Sequence, residues 1–530
     1  MKQFILILLT LGLARASFAQ SPTTAKIDAL LSAYAQLNLF NGSALVAQKG
    51  KILLQKGYGT KASGIFQIYS ITKTFTSTLV LKLSEEGKLS VTDKLSKYYP
   101  GFPKGDSITI EQLLSHTSGL FDYTHGNDMP DMQEKTLIGF LSKKELDFAP
   151  GTGWSYSNSG YYLLGYIIQR VTGIPYEQAI HQYILDPVQM TRSGFDFKAL
   201  ASPNKTIGYS VFTSKEKKPA IIYAAPGPFA AGAIYSTVGD LFKYHQALQK
   251  FSIISKASLD KAYTPLRNNY GLGWFTSSFE GQQVVGHSGG AAGFRSNFVR
   301  IPELDLCIVL LSNNEIANLD LITRRILAVL FSKPYQVPVE RYCINREAQR
   351  AITGTYSNDT FHVYIYVADG KLVAQPATQR KSVLLAQSPL DFYVDDLEGH
   401  LLFKKDSNNK ITQMVVKRNG KEDSFKRIYP GWGLLGNATA VGWEGRQPDL
   451  VFTEDAQHKG IWTITNIQLS TGNIKFRFDN DWTINFGDND ADGKLEADGS
   501  DIKVAAGRYD ILLDLTDEEQ PGYILTMRQP

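Results

Sequence analysis

Only two of the 530 residues are cysteine, Cys307 and Cys343. That excludes a disulfide-built scaffold and a cysteine-rich metal centre. No later stretch strings together the roughly 18 uncharged apolar residues that a bilayer-spanning helix needs, so no transmembrane segment is expected. No dense Lys/Arg block occurs, and nucleic acid is a poor partner despite a net charge of +4. Internal repeats and low-complexity tracts are absent from the sequence. What remains is an ordinary globular composition, 43% hydrophobic and 20% charged. The length suits roughly three or four domains.

Residues 1–19 read as a signal peptide rather than as structure. Lys2 is a minimal basic start, Phe4–Leu13 is an apolar run too short to span a bilayer, and Arg15 interrupts it. Ser17-Phe18-Ala19 fits the small-x-small cleavage rule. No cysteine follows the run, so no lipid anchor is expected. The mature chain should be exported to the periplasm, with outer-membrane association left open. Cys307 lies in the apolar run Leu304–Leu311 and reads as a core thiol; Cys343 lies in a linker. An oxidising compartment would allow a bridge between them, but none is expected.

Ile27–Leu37 has a helical pattern, and Ser43–Ala47 with Lys51–Gln55 flank Gly50 as a hairpin. A helix is predicted from Ser70 to Glu86, stopped by Gly87. Residues 88–250 read as mainly helical, with Gly/Pro-rich breaks at 101–106, 149–153 and 224–232. Strands at Val284–Val285, Phe298–Ile301 and Leu306–Leu311 precede a closing helix, Leu321–Phe331. Pro334–Val339 carries two prolines and reads as a linker. Residues 351–428 alternate short strands with turns at Asp369-Gly370, Glu398-Gly399, Ser407–Asn409 and Asn419-Gly420, which predicts a small antiparallel barrel or sandwich. Residues 431–530 hold 8 basic and 17 acidic residues, and four of the six tryptophans: Trp432, Trp443, Trp462 and Trp482. That break predicts a separate all-β module.

Three motifs carry chemistry. Ser70-Ile71-Thr72-Lys73 is S-x-x-K, and positions i and i+3 share a helix face, so Lys73 can reach the Ser70 hydroxyl. A helix N-terminus favours a developing alkoxide, and a lysine in a dry cleft can lose its proton and act as a base. Five further S-x-x-K matches, from Ser202, Ser214, Ser258, Ser407 and Ser500, read as surface coincidences. Only Ser70 opens a long apolar helix directly after a hairpin and a short apolar segment. Tyr156-Ser157-Asn158 follows a turn-rich approach and precedes a helical run. Its tyrosine can exchange a proton, and its amide can orient a carbonyl. His287-Ser288-Gly289-Gly290 ends a strand, where bare backbone can approach a substrate. The Gly290 N–H could join the Ser70 N–H as an oxyanion hole. Gly286–Gly290 also spells G-x-S-x-G, but an elbow needs a helix after it, and here a turn and a strand follow.

As a set, these motifs resemble the serine β-lactamase and penicillin-binding-protein superfamily, on the side of class C β-lactamases, D-alanyl-D-alanine carboxypeptidases and related esterases. The segments Tyr69–Thr76, Leu113–Leu120 (with His116, read as structural) and Gly286–Gly290 carry it, over residues 25–332. The resemblance implies an α/β fold, an antiparallel sheet flanked by helices plus a helical subdomain. It implies Ser70 as acylated nucleophile, Lys73 and Tyr156 as base network, and Asn158 as substrate orienter. It implies no cofactor and no metal. His287 stands where many members carry the lysine of K-T-G, which implies weak β-lactam turnover and a preference for esters or peptides. Catalytic residues are therefore expected at Ser70, Lys73, Tyr156 and His287, with Asn158, Ser288 and Gly290 binding substrate.

Residues 345–428 resemble the lipocalin-like domains appended to such hydrolases. Residues 431–530 resemble the C-terminal domains of the starch-utilisation proteins SusE and SusF, on stretches such as Gly433–Thr439 and Lys475–Trp482. That resemblance implies a neutral glycan as a second partner, with Trp482, beside Asn480 and Asp481, as the platform and Trp462 in the core. Asp488–Gly493 mimics the start of a calcium loop, but position twelve is Gly499, so it reads as an acidic turn. Two functions stay open: an exported serine hydrolase acting on an ester, amide or D-amino-acid peptide, and a glycan-binding surface protein with a degenerate hydrolase domain.

Overall fold

The computed structural model describes residues 21–125, 132–213, 216–358, 362–368, 370–376, 381–428, 431–443, 449–478, 481–517 and 520–529. The signal-peptide reading and Asn480 fall outside the described residues. The chain divides into two units, Met1–Val339 and Glu340–Pro530, at the proline-bearing linker. The first is a β-lactamase-like α/β unit, and the second, among the described residues, is all-β apart from one short helix.

In the first unit, strands β1 (Gly42–Gln48), β2 (Lys51–Tyr58), β3 (Phe66–Gln67), β4 (Tyr209–Phe212), β5 (Lys217–Pro219) and β6 (Tyr235–Ser236) precede the main hairpins. These are β7 (Phe275–Phe279), β8 (Gln282–Ala291), β9 (Phe294–Ile301) and β10 (Leu306–Ser312). The central antiparallel sheet has the order β1-β10-β9-β8-β7, and β2 folds back beside β1 across the Lys49–Gly50 turn. The helices are α1 (Pro22–Gln36), α2 (Thr72–Glu85), α3 (Ile110–Leu114), α4 (Glu134–Leu141), α5 (Asn158–Thr172), α6 (Tyr176–Ile180), α7 (Phe229–Gly232), α8 (Val238–Gln249), α9 (Lys256–Tyr263) and α10 (Leu319–Leu330).

The apolar run around Cys307 is a strand buried on both faces. Cys307, Val309 and Leu311 point into one core, shared with α2, α5 and α8. Leu306, Ile308 and Leu310 point into another, shared with α1 and α10. This is period-two alternation with both sides covered. The helix predicted to begin at Ser70 opens instead with a 3-10 turn, Tyr69–Ile71, before α2. Helix α2 is buried nearly all round, so its hydroxyls need internal partners. Thr76 donates to the Ala230 carbonyl at 2.7 Å, and Thr78 meets the Tyr244 hydroxyl at 2.7 Å. Both cysteines are free, Cys307 buried and Cys343 exposed.

The second unit begins with a short helix, Arg346–Ile352. The strands from Gly354–Ser357 to Lys421–Ile428 then pair in sequence order and close into a barrel, the first pairing with the last. Tyr356, Phe392, Phe403 and Met414 fill its interior. Beyond residue 430, two sheets share the core around Trp432, Leu434, Phe476 and Leu513. Trp432 stacks on Phe486, centroids 5.0 Å apart, and Trp462 packs partly buried against the same core. Trp482 is 43% exposed, with Trp443 at 6.1 Å and the Arg477 guanidinium at 4.9 Å from its ring. Both Asp488 carboxylate oxygens accept from their own loop, Oδ1 from Ala491 N–H at 2.6 Å and Oδ2 from Gly493 N–H at 3.0 Å. The segment is thus a carboxylate-capped turn. Among the described residues, no helix is long and apolar enough to cross a membrane.

Candidate active site

Ser70 sits in a turn held from both sides. Upstream, β3 pairs with β6, and Ile68 N–H donates to the Ile234 carbonyl at 3.0 Å. The Ser296 hydroxyl of β9 donates to the Ile68 carbonyl at 2.7 Å. Between these anchors Tyr69 is forced to φ 43°, a left-handed conformation that strains a bulky residue by about 1–3 kcal/mol. The clamp therefore spends fold stability on presenting the next residue, Ser70, which stays partly open to solvent.

One turn along, Lys73 is fully buried. Its Nζ lies 3.1 Å from Ser70 Oγ, 2.9 Å from Asn158 Oδ1 and 2.8 Å from the Ala231 carbonyl. Burial pulls its pKa down to about 7, against an opposing pull from the Asp122 carboxylate. Near neutrality a large share of the amine is unprotonated, which a base needs. Helix α7 can supply the Ala231 carbonyl because Gly165 of α5 lacks a side chain. A Cβ there would stand 2.5 Å from Ala230 Cβ.

The ring of Tyr156 lies 4.9 Å from Lys73 Nζ. Burial holds its phenol protonated, with the Ser70 hydroxyl bond working the other way. His116 packs against Tyr156, centroids 4.3 Å apart, and accepts the Ser157 N–H at Nδ1 (3.1 Å). It thereby fixes the tyrosine loop, and burial keeps it neutral.

Strand β8 closes the cleft. Strand β7 pairs with it only through Gly286, which leaves His287–Gly290 as an open edge facing the Ser70 turn. Gly289 permits that approach: a Cβ there would lie 2.2 Å from the Ile68 carbonyl oxygen and 2.9 Å from Ser70 N. The side chain of Ser288 is exposed, and the strand continues through a turn into β9 rather than into a helix, which disposes of the elbow geometry. His287 is 3% exposed with both ring nitrogens engaged. Nδ1–H donates to the Ser288 carbonyl at 2.6 Å, and Nε2 accepts the Tyr270 hydroxyl at 3.0 Å. Burial, reinforced by Lys73, depresses its pKa to about 3, so the position carries no cation at neutral pH.

The structure therefore brings Ser70, Lys73, Tyr156, Asn158, His287 and the Ser288–Gly290 edge together. Trp482 belongs to the other unit. Sequence reasoning missed Asp122, Tyr270 and the Ala231 carbonyl. Asp122 is 2% exposed and accepts from the Asn158 backbone and side-chain nitrogens at 3.2 and 3.0 Å.

Comparison with known proteins identifies the family of the first unit. Residues 27–331 match the family model described as Beta-lactamase. Penicillin-binding protein 4* of Bacillus subtilis (strain 168) is 29% identical over 396 residues, covering 68% of this chain and 86% of that protein. Protein flp of Staphylococcus aureus (strain MW2) is 32% identical over 299 residues, covering 51% of this chain and 59% of that one. The octameric penicillin-binding protein homologue from Pyrococcus abyssi superposes with a TM-score of 0.54 at 24% identity, covering 76% of this chain and 98% of that one. The D-amino acid amidase from Ochrobactrum anthropi SV3 gives 0.51 at 23% identity, covering 59% and 99%. These last two likenesses are of fold.

Proposed function

The chain belongs to the beta-lactamase family of serine hydrolases, and we propose that it works through an acyl-enzyme on Ser70, with an ester, amide or D-amino-acid peptide as acyl donor. The observation that carries this is the buried Lys73 amine, 3.1 Å from the Ser70 hydroxyl with a pKa near 7. Neutral Lys73 takes the Ser70 proton as Oγ attacks the substrate carbonyl. The Ser70 and Gly290 N–H groups receive the oxyanion on the open edge of β8. Tyr156, held protonated, passes a proton toward the leaving group and recovers one from Lys73. Water then releases the acyl group by the reverse sequence.

His287 enters as a strut rather than as a proton carrier, because both its nitrogens are engaged and its ring is neutral. An uncharged residue there favours acyl donors without a carboxylate beside the scissile bond over β-lactams, which carry one. The relatives' names, penicillin-binding proteins and, by fold, a D-amino acid amidase, support the broader acyl-donor class; the preference against β-lactams rests on His287 alone. Export to the periplasm, supported by the Lys2–Ala19 pattern, belongs to the reading and is tested by N-terminal sequencing of the mature chain.

A second reading, a glycan-binding surface protein with an inactive hydrolase unit, draws support from the exposed Trp482. The assembled Ser70–Lys73–Asn158 contacts favour catalysis instead. Labelling by a fluorophosphonate or penicillin probe tests between them: Ser70-dependent labelling is expected, and an unlabelled folded chain would refute the hydrolase. Affinity gels of the full chain on neutral glucans test the glycan role separately. Retardation lost in Trp482→Ala is expected from it.

A further inference from the structure

Building on the assignment of Lys73 as the base, we propose that Asp122 is a positioning residue whose carboxylate fixes the Asn158 amide with its carbonyl oxygen toward Lys73. A carboxylate only accepts hydrogen bonds, so the Asn158 atom 3.0 Å from Asp122 Oδ2 has to be the amide nitrogen. The same oxygen accepts the Asn158 backbone N–H at 3.2 Å, and Oδ1 accepts the Thr124 N–H at 3.0 Å. Three donors on two oxygens lock the carboxylate, and the carboxylate locks the amide. The Asn158 carbonyl oxygen is thereby left facing Lys73 at 2.9 Å.

The consequence lies in the hydrogens of the amine. A neutral amine has two N–H groups and one lone pair. Asn158 Oδ1 and the Ala231 carbonyl, at 2.9 and 2.8 Å, take the two hydrogens. The lone pair is left for the Ser70 hydroxyl at 3.1 Å. With the amide turned over, its NH2 would face Lys73 and compete with Ser70 for that lone pair. The base would then be present but aimed wrongly. Asp122 also acts through charge, favouring the protonated amine against the pull of burial. The other groups facing Lys73 are uncharged near neutrality: the Tyr156 and Tyr161 rings at 4.9 and 5.4 Å, and the depressed imidazoles of His116 and His287.

The test measures the rate at which Ser70 of the full chain is phosphonylated by a fluorophosphonate probe, with loss of fluoride, across pH 5–9. Asp122→Asn should lower the limiting rate by about 10- to 100-fold, part of the 10²–10⁴ a general base supplies. It should change the half-saturating probe concentration little and move the acidic limb, which reports Lys73, to lower pH. In an Asn158→Ala background the same substitution should change the limiting rate by less than about threefold, since the amide it acts through is gone. An unchanged rate in Asp122→Asn, or an equal loss in both backgrounds, overturns the proposal. Protection of Cys307 from a thiol reagent reports folding. If Asp122→Asn does not fold, the swap Asp122→Asn/Asn158→Asp is read instead, because residue 158 then still presents an acceptor to Lys73. It should label faster than Asn158→Asp alone, with its acidic limb above that of the wild type because the carboxylate now sits beside Lys73; no gain overturns the proposal. Lys73→Met separates the two levels. Undiminished labelling there refutes the base assignment itself, whereas lost labelling there with wild-type rates in Asp122→Asn refutes only the role of Asp122.

Discussion

Replacing Lys73 by methionine should remove the pH dependence that this one amine imposes on the hydrolase unit. The amine is fully buried, with a pKa near 7 against 10.5 in the unfolded chain. Between these values the unfolded chain binds more protons than the folded one, so stability rises with pH through the window. Linkage puts the burden at about 4 kcal/mol at pH 7 and about 2 kcal/mol at pH 9. Lys73→Met removes that dependence. It also leaves the Asn158 and Ala231 oxygens unpaired, at about 1–3 kcal/mol each, but that loss is the same at both pH values and cancels from the comparison. Wild type should therefore gain about 2 kcal/mol over Lys73→Met between pH 7 and pH 9. The assay is urea unfolding followed by pulsed thiol labelling and peptide mass spectrometry of Cys307, which is inaccessible in β10 until this unit opens. Parallel curves, differing by less than about 0.5 kcal/mol, would mean an ordinary lysine pKa. The base assignment would fall with it.

Four further outcomes follow from the site. Ser70→Ala should abolish probe labelling and ester turnover while Ser288→Ala keeps both; the reverse pattern would restore the elbow reading. Gly289→Ala should stop acylation in a chain that still expresses, because the added carbon meets the Ile68 carbonyl at 2.2 Å; normal labelling would mean that the edge is not part of the site. His245, His287 and His116 are buried with pKa values pulled down, to about 2 for His245 and about 3 for His287. Stability is therefore full above pH 6.5 and should fall with acidification by up to about 1.4 kcal/mol per pH unit per histidine. His287→Gln should flatten that slope by one histidine's share in the urea assay, and an unchanged slope would contradict the burial argument. Nitrocefin turnover should stay well below that of the best small ester at neutral pH, and equal rates would refute the specificity argument from His287.

The sequence by itself determined what depends on neighbours along the chain. Ser70 and Lys73 meet because i and i+3 share a helical face, and no distant residue was needed to see it. The Gly50 hairpin, the buried apolar strand Leu306–Leu311 and the linker at Pro334–Val339 are likewise set by local pattern or by proline. The likeness of the three motifs to a serine hydrolase family was legible because each motif is short and contiguous. Tertiary structure alone decided the rest. Asp122 carries no motif, and its partner stands 36 residues away. Nothing along the chain distinguishes an acid that will be 2% exposed from one on the surface. The same holds for the Tyr270 hydroxyl on His287, the Ala231 carbonyl on Lys73 and the closure of the barrel by its first and last strands. Above all, Lys73 is an ordinary cation in the sequence. It becomes a base only where the fold removes water from its amine while leaving it two acceptors and one hydroxyl. A protonation state follows from the whole surroundings of a group, and those exist only after long-range contacts have formed.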